Sequence, residues 1–151
     1  MWQERTYNYR HQVLLEETNL VGNVYFSNYF LWQGHCRESF LFAHAPGVMS
    51  ALQGDFAMVT TASRCDFFDE LFAGDCVEVR MSLREIRDNK VTMRFDYYRV
   101  RGAAQLVAVG EQTTACVRRI PGGTEPTELP EELRAALRPY EPVVGLAGPR
   151  V

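Results

Sequence analysis

An arginine set in the middle of an apolar stretch is the first residue of this sequence that could do chemistry. If the segment from Asn28 to about His44 is a helix, Arg37 shares one face with Phe30, Gln33, Gly34, Phe40 and Leu41, because residues three and four apart stack on the same side. The guanidinium is always charged, and burying it unpaired costs on the order of several kcal/mol even after relaxation. A carboxylate, a set of backbone carbonyls or a ligand must compensate. Gly34 lies one turn earlier. A glycine inside a helix costs about 1 kcal/mol relative to alanine and removes a side chain where space or close approach is needed. Two readings stay open. Gly34 and Arg37 make a slot with a cationic end, or Arg37 meets an acid on a strand and Gly34 admits a neighbouring backbone.

The other reactive residue types carry less. His35 falls on the side of Leu31, Glu38 and Phe42 and reads as a packed histidine. Cys36 adjoins Arg37, which lowers a thiol pKa, but no paired base is evident and a core thiol is expected. Cys36, Cys65, Cys76 and Cys116 are far apart, with no CxxC pair and no histidine at ligand spacing. They read as reduced thiols of a cytoplasmic protein, with no disulfide framework, metal or cofactor. His11 and His44 lack motif context, and Glu16 and Glu17 read as solvated, either near enough to Asn19 to activate water from a distance.

These residues need a scaffold. A chain of 151 residues suffices for one well-buried domain. With 46% hydrophobic and 23% charged residues it belongs to the soluble globular class. A formal net charge of -3 argues against nucleic acid. Met1 to Arg10 has no apolar targeting core, and no run approaches the ~20 apolar residues of a membrane span.

A first strand is expected from Arg5 to Leu15. The long helix follows, with Ser27 as its cap and Pro46 forbidding continuation. A strand spans about Ala57 to Phe67. Period-two alternation over Val77–Arg84 and Val91–Tyr98 predicts half-buried strands. Asp88-Asn89 is a hairpin turn between them, and Gly102 precedes a strand from about Gln105 to Ile120. After Pro121 the text turns to Pro-Gly-Gly-Thr-Glu-Pro, then a short helix from Pro130 to Arg138. From Pro139 the Pro/Gly-rich text reads as mobile, giving a domain at residues 1–140 and a flexible tail at 141–151. One helix with a largely antiparallel sheet is an α+β plan. A helix apolar over most of its surface is expected to be buried all round.

The run Thr18-Asn19-Leu20-Val21-Gly22-Asn23-Val24-Tyr25-Phe26-Ser27-Asn28-Tyr29, leading to Cys36-Arg37, resembles the opening motif of the 4-hydroxybenzoyl-CoA thioesterase family. The usual form there is Asp-x-x-Gly-x-Val, then Asn-Tyr, then a helix ending in Glu-Glu-Ala-Arg. The segment Asp66-Phe67-Phe68-Asp69-Glu70-Leu71-Phe72-Ala73-Gly74-Asp75 is similar to that family's later Gly-Asp segment. The resemblance covers the chain to about Ile120. It implies a hot-dog fold, a long central helix wrapped by a curved antiparallel sheet. It also implies homodimers or homotetramers with active sites at the dimer interface. The departures are specific. Asn19 stands at the family's Asp, and Gly34 and His35 stand at its helix Glu positions, while Tyr29 and Arg37 are kept. That combination resembles the enediyne polyketide thioesterases. It implies hydrolysis of a β-ketoacyl polyene from the acyl carrier protein of an iterative polyketide synthase, and a freed β-keto acid can lose carbon dioxide by itself.

With no carboxylate in these positions, chemistry must be electrostatic. An amide such as Asn19 is no base but donates and accepts hydrogen bonds. Asn19 is expected to orient the attacking water or the carbonyl, and Arg37 to stabilise charge or grip a β-keto oxygen. Backbone N–H groups of Val24 and Tyr25, at the start of the helix, are expected to form the oxyanion hole. Each such donor is worth roughly 10²–10³-fold in rate. Thr60 or Thr61 adds a hydroxyl, Gly22 allows a tight turn beside the substrate, and Tyr25, Phe26, Tyr29, Phe67 and Phe68 are candidates for the wall of an apolar channel. Competing readings are a generic acyl-CoA thioesterase, a dehydratase (which wants a histidine paired with an acid) and a non-catalytic acyl-binding partner of a polyketide synthase.

Overall fold

A computed structural model describes residues 5–142. The elements are β1 (Tyr7–Gln12), a 3-10 turn at Leu15–Glu17, α1 (Ser27–His44), α2 (Pro46–Ala51), β2 (Phe56–Phe67), β3 (Cys76–Arg87), β4 (Lys90–Arg101), β5 (Ala103–Ile120), β6 (Gly123–Pro126), α3 (Glu131–Leu137) and a second 3-10 turn at Arg138–Tyr140. The sheet runs β1-β3-β4-β5-β2, with β6 added to β5, and every pairing is antiparallel. Helix α1 packs on β1 and β3 near one edge and on β2 at the other. A sheet whose two edges both touch one helix must curl around it, which is the hot-dog arrangement.

The core follows from the expected periodicities. Trp32, Cys36 and Phe40 descend one side of α1 and meet Val77, Val79, Met81, Met93, Phe95 and Tyr97, all fully buried. Burying such a side chain contributes about 1.5–3 kcal/mol. The hairpin at Asp88-Asn89 is built as expected: Asp88 sits at φ 55. The Asn89 side chain donates to the Cys116 carbonyl at 2.8 Å.

Several expectations need correction. Ser27 is not a cap; it lies inside the helix, Phe26 holds the cap position, and no side chain caps it. The Asn28 amide instead donates to the carbonyls of Glu17 at 2.9 Å and Tyr25 at 3.2 Å. Helix α1 is not buried all round. Leu31 is 52% and Phe42 64% exposed. Pro46 ends α1 yet opens α2, as a proline is tolerated in a first helical turn. The first strand is shorter than expected, because the chain turns at Leu14 into the 3-10 turn. Gly123–Pro126, read as a break in the text, pairs with β5 as β6. The mobile stretch expected from Pro139 includes Tyr140, which is buried against Phe40. Most of the expected tail, 143–151, lies outside the described residues.

Candidate active site

Arg37 is held between α1 and two strands. Its guanidinium donates to Gln112 Oε1 at 2.5 Å, with Thr60 Oγ1 at 3.4 Å and Thr114 Oγ1 at 3.5 Å. All three partners are neutral, so the expectation of an acid on a strand is not met. Burial pulls the Arg37 pKa down, and Glu38 only partly opposes this. An arginine remains protonated regardless. The result is a largely enclosed positive charge with no ion pair among the described residues. Gly34 does not admit a neighbouring backbone: a Cβ there would meet nothing within 4 Å. The space beside Arg37 is open.

Strand β2 brings both of its helix-facing halves to this place through a bulge. The register of β2 on β5 shifts between Thr60 and Ala62. Before it, Phe56 and Met58 pack inward and Thr60 meets Arg37. After it, Ser63 donates to Gln33 Oε1 at 2.9 Å and Phe67 packs edge-on against Tyr29. Thr61 is the extra residue. Its hydroxyl turns to the Thr113 carbonyl at 3.3 Å, so of the two expected threonines only Thr60 lies beside Arg37.

Asn19 stands elsewhere. It begins a tight loop closed by the Thr18–Val24 bridge. Its backbone N–H donates to the Asn23 carbonyl and its Oδ1 accepts from the Val21 N–H, both at 2.9 Å. Gly22, at φ 93, supplies the left-handed backbone this loop requires. Arg37 lies nearly three turns into α1, roughly 15 Å along its axis from the end near Asn19. The fold of one chain does not bring the two side chains into contact.

The expected oxyanion donors are already engaged. Val24 N–H donates to the Leu71 carbonyl at 2.8 Å and Tyr25 N–H to the Glu17 carbonyl at 2.9 Å. The reason is that Val24 and Tyr25 belong to the loop before α1, where the Thr18–Val24 bridge and the neighbouring Leu71 and Glu17 carbonyls take up their N–H groups. Asn28 and Tyr29 bond back to Tyr25 and Phe26. Among the described residues nothing accepts from the N–H of Phe26 or Ser27, which are therefore the free donors at the positive end of the helix dipole.

The wall candidates divide. Tyr29 is buried: its ring packs on Trp32, Phe67 and Tyr97, its carbonyl accepts from Tyr97 at 2.7 Å, and burial pushes its phenol up to about 12. Tyr25, Phe26, Phe67 and Phe68 are exposed, as are Leu20 and Val21 of the Asn19 loop. An apolar surface therefore rims the start of α1.

Gln112 was not singled out by sequence, and Glu17 was misjudged. Glu17 is no solvated acid. It is 8% exposed and accepts from His11 Nε2 at 2.7 Å, Leu14 N–H at 2.8 Å and Trp32 Nε1 at 2.9 Å. Gln112 and Thr114 are polar residues on the buried face of β5 between Ala108 and Cys116, which was the available signal. His35 faces Tyr9, 3.5 Å from its hydroxyl, away from Arg37. Cys36 is fully buried and its thiol pushed up, as a core thiol should be. Asp75, of the Gly-Asp segment, is structural: it accepts from Phe72 N–H at 2.9 Å and from Arg101 at 3.1 Å.

A curled sheet around one helix, with a polar pocket on the helix and an apolar rim at its start, defines a hot-dog acyl-thioester hydrolase. Residues 13–137 match the Thioesterase-like superfamily, and the chain belongs to that family. It is 52% identical to the dynemicin thioesterase, whose crystal structures reveal induced-fit and allosteric effects upon polyene binding; the superposition has a TM-score of 0.89 and covers 92% of this chain and 99% of that one. A 1,4-dihydroxy-2-naphthoyl-CoA hydrolase of Synechocystis sp. is 24% identical, covering 92% of this chain and 94% of the other. The 4-hydroxybenzoyl-CoA thioesterase of a Pseudomonas species shares the fold at 14% identity, with a TM-score of 0.78 over 87% of this chain and 99% of that one. No described helix is long and apolar enough to cross a membrane.

Proposed function

We propose that this thioesterase releases a β-ketoacyl polyene from the acyl carrier protein of an iterative polyketide synthase of enediyne type. The observation that carries the chemistry is the enclosed Arg37, held by neutral acceptors alone. A guanidinium with no carboxylate beside it keeps its full charge for an oxyanion, where electrostatic stabilisation is worth most. The apolar residues Leu20, Val21, Phe26, Phe67 and Phe68 around the start of α1 suit a long unsaturated chain, and the relation to a polyene-binding thioesterase supports that class of acyl group.

The site is completed by a second copy of the chain. Residues Val59 to Arg64 lie exposed on β2, an edge strand, and an unpaired edge is a ready template for strand pairing. Pairing two β2 edges brings the Asn19 loop of one copy toward the Arg37 pocket of the other, a meeting that one chain does not allow. In the step itself, water adds to the thioester carbonyl. Asn19 orients that water or the carbonyl, the Phe26 N–H and Arg37 receive the charge on the carbonyl oxygen, and collapse expels the thiolate, which takes up the proton given up by water.

The test is hydrolysis of a synthetic β-ketoacyl polyene presented on a carrier protein or on coenzyme A, with products followed by mass spectrometry. Carrier-bound substrate is expected to turn over with the higher kcat/KM and to yield the β-keto acid or its methyl ketone. Equal or better turnover of the coenzyme A thioester overturns the carrier assignment, and turnover of saturated short chains alone overturns the polyene.

A further inference from the structure

A second cation on the inner side of the sheet has no part in the reaction as drawn. Val91, Met93, Phe95 and Tyr97 form the fully buried row of β4. By strand alternation the next residue of that row is Arg99, whose side chain is 17% exposed. A guanidinium placed there loses hydration that its partners must offset. Arg99 donates to the Glu70 carbonyl, to Asp69 Oδ2 at 3.3 Å and to Gln105 Oε1 at 2.8 Å, with Asp75 Oδ2 at 3.5 Å. Gln105 in turn donates to Asp69 Oδ2 at 2.9 Å. Glu70, Asp69 and Asp75 all belong to the loop that joins β2 to β3. The planar fork of an arginine serves such a set together, which the point charge of a lysine does not.

That loop is held at its ends by main chain. The register of β4 on β5 shifts so that Val107 is an extra residue, and the Val107 carbonyl accepts from the N–H of Phe68 at 2.8 Å and of Asp69 at 3.2 Å. At the other end the Asp75 carbonyl accepts from Val13 N–H at 2.9 Å. The middle of the loop is where the Asn19 loop rests. Leu71 takes the Val24 N–H at 2.8 Å, Phe72 bridges Asn23, and the Asn23 amide donates to Glu70 Oε1 at 3.1 Å. The Asn23 carbonyl then takes the Asn19 N–H at 2.9 Å. Hydrogen bonds thus run without a break from Arg99 through Glu70 and Asn23 to Asn19. We infer that Arg99 is a positioning residue for the hydrolysis, fixing the middle of the β2–β3 loop and through it the place of Asn19. The inference rests on the reading of Asn19 as a group at the reaction centre.

A double-mutant cycle tests it, since two residues that act as a unit do not contribute independently. Arg99→Met is expected to lower kcat roughly 10-fold or more, as misplacement of a catalytic group does. In the Asn19→Ala background the same change is expected to lower kcat no further. Arg94→Gln breaks an ion pair with Asp96 on the same strand and is expected to keep kcat. Amide exchange in Arg99→Met is expected to quicken at Asn19 and Val24 and to stay unchanged along β3. Gln105→Leu leaves every charge in place and removes one acceptor from Arg99 and one donor from Asp69. It is expected to lower kcat several-fold in the same non-additive way, and it carries the test should Arg99→Met not fold. Losses that multiply with that of Asn19→Ala overturn the positioning role, as does full kcat in Arg99→Met or an equal loss in Arg94→Gln. Full kcat in Asn19→Ala alone is a different result: it overturns the catalytic reading of Asn19 on which this role depends.

Discussion

Trp32 donates its indole N–H to Glu17 Oε2 across 2.9 Å, joining the floor of the core to the loop that carries Asn19. The same carboxylate takes His11 at 2.7 Å and the Leu14 N–H at 2.8 Å, while the Glu17 carbonyl takes the Tyr25 N–H at 2.9 Å. Glu17→Gln keeps the shape but offers one acceptor oxygen where the native residue offers two. Leaving a buried donor unpaired costs about 1–3 kcal/mol, so the urea midpoint is expected to fall by that equivalent with an unchanged m-value.

Acid should reveal the same group. Burial alone would raise the Glu17 pKa, but the bonds from Leu14, His11 and Trp32 outweigh it and the net shift is downward. A carboxylate depressed in the folded state stabilises the fold above its unfolded pKa, and that contribution is lost as pH falls through its folded value. The stability gap between the natural protein and Glu17→Gln is therefore expected to be widest near neutrality and to close in acid. A gap that stays constant from about pH 6 to about pH 3 would contradict the account.

Gln112→Glu places a carboxylate where the neutral amide now meets Arg37 at 2.5 Å. The new ion pair neutralises the charge that the proposed mechanism keeps for the substrate. The expected outcome is a fall in kcat of roughly 10²-fold or more without loss of thermal stability. Unaltered kcat would remove Arg37 from the oxyanion role.

Asn19→Asp and Asn19→Ala separate loop order from chemistry. Aspartate still accepts from the Val21 N–H, the bond Asn19 makes at 2.9 Å, whereas alanine loses it. Both variants are expected to lose kcat, since neither offers the amide N–H, but only Asn19→Ala should show faster amide exchange across Leu20 to Asn23.

Gly110 tolerates no side chain. A Cβ there would collide with the Gln33 amide and lie 3.0 Å from the Arg64 carbonyl. Gln33 is fully buried and cannot swing away without breaking its bond to Ser63. Gly110→Ala is expected to cost about 1–3 kcal/mol, read from thermal or denaturant melts.

The long strands and α1 were legible because their periods are long and regular. Val77 to Leu83 and Val91 to Tyr97 alternate cleanly in residue type, and their apolar faces are buried as expected, but Glu78 and Ser82 on the other face of β3 are buried as well, so that face is not the wet one expected. The start of α1 was misread by one residue, since a serine resembles a cap whether or not its hydroxyl finds a donor. Val24 and Tyr25 read as free donors because they lie close to that start, but their pairing partners Leu71 and Glu17 come from distant or irregular segments that no local pattern reveals. Arg37 was legible as an anomaly and Thr60 as a hydroxyl of the same site, but its shortest partner was not. Gln112 is 75 residues away in sequence, and only the fold brings it near. Strand β6 was missed because glycine and proline at its ends suppress the usual strand signal, and its pairing to Val117–Ile120 is what orders it.

The extra residue at Thr61 has a bearing on how such a protein can diverge. Because it inverts the alternation of β2, the half that touches Arg37 and the half that carries Cys65 and Phe67 keep separate phases. Substitutions in the outer half can reshape what lies against Tyr29 while the inner half stays fixed. Loss of the single Thr61 codon, by contrast, would throw one half inside out. Point changes in the outer half can thus alter the surface against Tyr29 without disturbing Arg37, whereas shortening this strand cannot.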